Sequence, residues 1–372
     1  MANLLQNADF GAAPGPPTLI QARTCFFLGA GASAEFGVPL TAEILPLIRT
    51  RLRESRLFRG DEERCKELER FLSVLLPGFA QASKEALPNI VDLLSLLDHS
   101  LRSSTTPIPQ VAVPEISQKR SLLELAICDV ISQGEEGATP SRLTGDSLWG
   151  WIKRNNDIRR DSLALISTNY DTSVEQLIDE AFAGELGSIA EEIDFGFSWR
   201  DPERNHLYPR PVEPWLRFFK LHGSLNWLRC DLCEHIYVNY HFKKIYARVL
   251  DAEISPDNTC HCGHAKLSSM LVTPSYVRDV REPNLLTIWR NALELLRTSD
   301  HWVMVGYSLP PDDVNIRSML MRAFHGRLFQ GPPQVTVVLK GDLPDVFARY
   351  QVLFPELEKY TDGFGAYING LG

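Results

Sequence analysis

TCFFLGAGASAEFGVP, residues 24–39, is the stretch whose reading decides the fold. An apolar run of strand length, Thr24 to Leu28, passes without a break into Gly29-Ala30-Gly31 and then into small residues. That pattern reads as a buried strand, a tight turn and the start of a helix. Glycines allow the sharp turn and a close backbone approach, and the first N–H groups of the helix suit a phosphate. The spacing, with Gly37 six residues beyond Gly31, differs from the dehydrogenase fingerprint, and a GxG by itself is as often a structural turn as a nucleotide site.

Working outward, strand-like apolar runs recur at 163–167, 216–221, 270–273, 302–305 and 335–339, with amphipathic helical patterns at 172–182, 284–298 and 313–326. Continuous apolar strands alternating with helices predict an α/β fold, a doubly wound Rossmann-like parallel sheet covered on both faces. A different period fills the space between the first two runs. Ile90, Leu93, Leu94 and Leu97 follow Asn89 at helical spacing, as do Leu123, Ile127, Val130 and Ile131, and segments 103–115 and 134–144 carry the breakers. The expected organisation is a flexible arm at 1–19, the first part of the Rossmann-like domain at 20–50, a helical insertion at 51–160, the domain continued at 161–228, a small zinc-ribbon module at 229–267, and the C-terminal part of the domain at 268–372.

The 372 residues carry a net charge of -9, which disfavours direct binding to nucleic acid or to an anionic membrane surface. No apolar run reaches the roughly 18 residues of a spanning helix, and residues 1–17 lack a signal-peptide pattern, so the expected location is the cytoplasm. Four of the seven cysteines gather between Cys230 and Cys262, which suits a metal better than a disulfide framework. Cys230-x-x-Cys233 is followed after 26 residues by Cys260-x-Cys262, two knuckles that would each supply two thiolates to a structural, tetrahedral zinc. The alternative is four unligated thiols in a reducing compartment.

Polar residues cluster where the strands should end: STNYD at 167–171, LHGS at 221–224, TPSY at 273–276 and GYSL at 306–309. In an open parallel sheet the ligand crevice lies beyond those ends. Taken singly, Asn169 and Asp171 could be helix caps and His222 a satisfied buried histidine. Phe195, Phe197 and Trp199, with Pro209, Pro211 and Pro214, form an aromatic loop upstream of His222 that is either a lid or a packed loop.

In this order the segments resemble the sirtuin superfamily: residues 29–39 look like its GAGxSxxxGIP loop, 168–171 like its QN(I/V)D segment, His222-Gly223 like its HG, and 306–309 like its GTSL. The resemblance covers about 24–40 and 163–340. It implies that Gly29, Ala30 and Gly31 line the phosphates of NAD, that Ser33, Asn169 and Asp171 surround the nicotinamide and its ribose, and that His222 is the general base. Gly306 and Ser308 would hold ribose and phosphate on the adenosine side, where Lys340 also falls. The second cysteine pair has one intervening residue instead of the family's two, which leaves His261 or His264 as a replacement ligand. The family's DFR is here Leu40-Thr41-Ala42, and no acyl-lysine groove is recognisable.

The resemblance therefore points to an NAD+ hydrolase of the bacterial anti-phage type, with an NAD-dependent protein deacylase and a noncatalytic NAD or ADP-ribose sensor as alternatives. It further implies a homo-oligomer, partnered by a HerA-type hexameric ATPase or, failing that, a short Argonaute.

Overall fold

The computed structural model describes residues 23–109, 111–137, 150–157, 160, 162–182, 189–202, 206–239, 260–263, 267–272, 275, 282–327 and 330–371. The expected arm at 1–19 and His264 lie outside the described residues.

Numbered along the chain, the strands are β1 (Thr24–Leu28), β2 (Leu163–Ser167), β3 (Ile193–Asp194), β4 (Trp199–Arg200), β5 (Leu207–Tyr208), β6 (Leu216–Lys220), β7 (Gly223–Cys230), β8 (Ile236–Val238), β9 (Leu267–Leu271), β10 (His301–Val305), β11 (Gln334–Val338) and β12 (Glu358–Tyr360). Seven of them form a sheet in the order β12-β11-β10-β1-β2-β6-β3, every pair parallel. The chain winds outward from β1 in one direction through β2 and in the other through β10, so the topological switch lies between β1 and β10.

Neighbouring residues of a strand face opposite sides of a sheet. Phe26 meets the rings of Trp151, Phe364 and Tyr367, whereas Phe27 meets Tyr307. On β10, Trp302 is in register with Cys25 and so shares the face of Phe27; its ring packs on Phe324 and Phe354. Helical residues 150–157 and the helix Phe364–Gly370 thus cover one face, and the helix Val314–His325 covers the other. Both faces are dry, which is why β1, β2, β10 and β11 read as unbroken apolar runs.

A second core lies apart from the sheet. Helices Thr41–Arg53, Glu62–Leu75, Ile90–Ser103 and Val113–Gly137 bury Ile44, Leu45, Leu68, Leu94, Leu97, Leu123 and Ile127 against one another. Asn89 caps the third of these through Val91 N–H at 3.0 Å. Thr41–Arg53 packs here, because its stripe of Ile44, Leu45, Ile48 and Leu52 is matched by helical partners.

One expectation is corrected. The run at 270–273 does not enter the parallel sheet: β9 pairs antiparallel with β7 in a five-stranded sheet of order β5-β4-β8-β7-β9. An apolar run of strand length records burial, not the partner. Of the two readings of the aromatic loop, the packed one holds. Phe195, Phe197 and Trp199 are buried, the first two set edge-on to Trp227 and the third stacked on Tyr208 at 4.5 Å. No helix among the described residues is long and apolar enough to cross a membrane.

At the amino ends of the strands a fully buried amide ties the sheet together. Asn156 accepts from Leu163 N–H at 2.9 Å and from Ser162 Oγ at 3.0 Å, and donates to the carbonyl of Trp215 at 2.8 Å. Asn156→Ala orphans these groups and is expected to destabilise the protein by about 3 kcal/mol in urea unfolding; a loss below about 1 kcal/mol would show that the amide is replaceable.

Candidate functional site

The carboxyl ends of β1, β2, β10 and β11 open onto a cavity of about 600 Å³. It is lined by Ala30, Gly31, Ser33, Asn169, Asp171, His222, Gly306, Ser308 and Lys340, which brings nine of the ten residues proposed for NAD to one surface. Gly29 stands behind that wall: its N–H donates to Val305 at 2.9 Å and its carbonyl accepts from Asn169.

The glycine loop is built differently from a phosphate cradle made of free N–H groups. Gly31 N–H donates to the carbonyl of Gly306 at 2.8 Å, so this donor is already engaged. Gly306 has φ +59°, and a Cβ there would lie 2.2 Å from Ala32 N. Glycine is required at 306 because the loops after β1 and β10 touch backbone to backbone.

Asn169 is half-buried and sharply oriented. Its Nδ2 donates to Gly29 O at 2.9 Å and to Ser33 Oγ at 2.8 Å, while its N–H bonds Ser167 Oγ at 3.0 Å. Both amide protons are taken, and Oδ1 has no donor among the described residues, which leaves an acceptor on a cavity-lining residue. His222, buried between the rings of Tyr170 and Trp289, has Nδ1 3.0 Å from the carbonyl of Thr168. A carbonyl only accepts, so Nδ1 carries a proton, and in the neutral tautomer the basic nitrogen is Nε2.

Asp171 plays the capping part open to it: its Oδ1 accepts from Ser173 N–H at 3.2 Å at the start of the helix Ser173–Phe182, and the residue lines the cavity as well. At the other end, Ser308 and Lys340 are exposed, and the Ser308 carbonyl is held by Arg349. Two contributions were not legible beforehand. Glu35 accepts from the N–H groups of Phe364 and Gly365 at 2.8 and 3.0 Å, pinning the last helix against the glycine loop; a lone glutamate carries no signal for this. Val38, Ile44, Val91 and Ile131, from the glycine loop's exit and the helical unit, line the cavity with apolar surface.

Cys230, Cys233, Cys260 and Cys262 converge, all four sulfurs lying within 4.8 Å of one another. Cys230–Cys262 and Cys233–Cys260 are 3.7 and 3.4 Å apart, near the edge of about 3.8 Å for a tetrahedron with zinc–sulfur bonds of about 2.3 Å. Burial pushes the Cys233 and Cys260 thiols up, so a cation is needed to hold the set as thiolates. The donor set fits structural zinc. His261 Nδ1 is 3.3 Å from Cys260 Sγ, and His261 also groups with Cys233 and His235, so it is placed to serve as the substitute ligand.

Neither a protein-family profile nor a curated protein matches the chain. Among solved structures, a Sir2 protein in complex with the inhibitor EX-527, 2′-O-acetyl-ADP-ribose and a deacetylated p53 peptide aligns with 94% of this chain and 91% of its own at 12% identity, with a TM-score of 0.39. So loose a superposition carries no functional argument.

The cluster generates one expectation: the purified protein carries one zinc per chain, and Cys260→Ser lowers both zinc content and thermal midpoint, since metal binding is coupled to folding in such modules. Elemental analysis that finds no zinc in protein purified without chelator would overturn it.

Proposed function

We propose that this chain is an NAD glycohydrolase that cleaves NAD to nicotinamide and ADP-ribose. The observation that carries the reading is the pairing, on one cavity wall, of an asparagine with an unoccupied acceptor oxygen and a histidine whose proton is fixed on Nδ1. Together with the family-like order of the motifs at 29–39, 168–171, 222–223 and 306–309, it supports an NAD site with Ser308 and Lys340 toward adenosine and Ser33, Asn169 and His222 toward nicotinamide.

In the proposed reaction the bond between C1′ of the ribose and the nicotinamide nitrogen breaks through an oxocarbenium-like transition state, the electron pair leaving with neutral nicotinamide. Water adds to C1′ and its proton passes to Nε2 of His222 and on to solvent. Asn169 Oδ1 accepts from that water or from a ribose hydroxyl, which orients the attack. Water is favoured over an acyl-lysine as nucleophile because the family's DFR segment is here Leu40-Thr41-Ala42.

Incubating the protein with NAD and no peptide separates the readings. Free nicotinamide supports the hydrolase; a strict requirement for an acylated peptide supports a deacylase; binding without turnover supports a sensor. Asn169→Ala and His222→Ala are each expected to lower nicotinamide release by about 10²-fold or more while leaving the circular dichroism spectrum unchanged. Rates near wild type would remove the assigned roles.

The reading extends to the cell. An enzyme that depletes NAD has to be silent until needed, so we propose a cytoplasmic homo-oligomer serving as the effector of an anti-phage system, opened by a partner of the HerA-type ATPase class through its higher affinity for the active state. Sedimentation of the pure protein and NAD assays across a partner titration test this. A monomer that is fully active alone would refute it.

A further inference from the structure

Beneath the cavity lies a charged pair that the proposed chemistry does not use. Lys220 and Glu175 have side-chain exposures of 1% and 2%, with Nζ 2.6 Å from Glu175 Oε1. Lys220 Nζ also donates to the carbonyl of Asp171 at 2.5 Å and to Ser224 Oγ at 2.8 Å, so all three ammonium protons are used. Burial holds the Glu175 carboxyl above the usual carboxylate range even with Lys220 beside it. Removing two charges from water is costly, and an apolar pair of the same volume commonly serves stability as well. The placement of this pair needs another reason.

That reason is visible in what the ammonium joins. Segment 167–171 carries Asn169, and segment 220–225 carries His222. The two are laced by Leu221 N–H to Ser167 O at 2.9 Å, His222 Nδ1–H to Thr168 O at 3.0 Å, Leu225 N–H to Tyr170 O at 2.9 Å and Ser224 Oγ to Tyr170 O at 3.4 Å. Lys220 closes the lacing at its far end, binding the last carbonyl of one segment and a hydroxyl of the other, and Glu175 is the anion that keeps it there.

We propose that Lys220, anchored by Glu175, is a positioning residue that sets Asn169 and His222 relative to each other. The inference rests on the NAD reading for its catalytic consequence and on geometry for the rest.

Lys220→Met alone leaves Glu175 buried without its partner and is expected to unfold readily. The informative variant is Lys220→Met with Glu175→Leu, which removes both charges and keeps the volume. Its thermal midpoint is expected within about 4 °C of wild type, while kcat for nicotinamide release falls by about 10²-fold and KM changes by less than about threefold. In the same protein the imidazole ¹⁵N signals of His222 and the side-chain amide signal of Asn169 should shift. Wild-type turnover in a variant of wild-type stability overturns the proposal. So does unchanged His222 and Asn169 resonances, and this second readout needs no turnover. Failure of the wild type to release nicotinamide would instead refute the hydrolase reading and leave the positioning role to be decided by the resonances.

Discussion

The contact on which the site depends is the one between two stretches of bare backbone. Gly306 at the end of β10 lies against Gly31 and Ala32 beyond β1, joined by the bond from Gly31 N–H to Gly306 O, with no room for a Cβ on Gly306. It closes the switch point of the sheet, the place where an open parallel sheet offers its crevice. With the loops in contact, the cavity floor runs unbroken from Ser308 and Lys340 to Ser33, Asn169 and His222. Any larger side chain at 306 would part the loops and split that floor.

The histidine is held from a different direction. β6 ends at Lys220 and β7 begins at Gly223, so His222 sits in the step between the parallel sheet and the smaller one. Gly223 has φ +81°, and a Cβ there would lie 1.8 Å from Met270 O; Val272 N–H in turn donates to His222 O at 2.9 Å. At the opposite end of β7, Cys230 is in register with Leu267. The cysteine cluster and the histidine therefore occupy two ends of one strand pair.

The helical unit meets the same place through Tyr170, which packs against its core and donates its hydroxyl to Val272 O at 2.5 Å. Leu225 of β7 is buried in that core too. Parallel sheet, small sheet and helical unit thus converge on residues 168–172 and 221–225, so disturbance in any of them reaches Asn169 and His222.

What could be read beforehand, and what could not, divides along a physical line. β1, β2, β10 and β11 were legible because strands buried on both faces are continuous apolar runs, and the paired cysteines because ligand spacing is a local property. That Asn169 and His222 would meet at one cavity was legible from an ordered set of motifs. Strands of two or three residues such as β3, β4, β5 and β8 hold no period to detect, and the run at 270–273 gave its burial but not its partner. Whether Phe195, Phe197 and Trp199 formed a lid or a packed loop stayed open because composition does not say which way a loop faces. Most of all, Lys220 and Glu175 are 45 positions apart and each is an ordinary charged residue in the chain. Only the tertiary structure takes both from water and turns them toward each other, since a pairing between distant segments is decided by where the strands lie and leaves no mark on either segment alone.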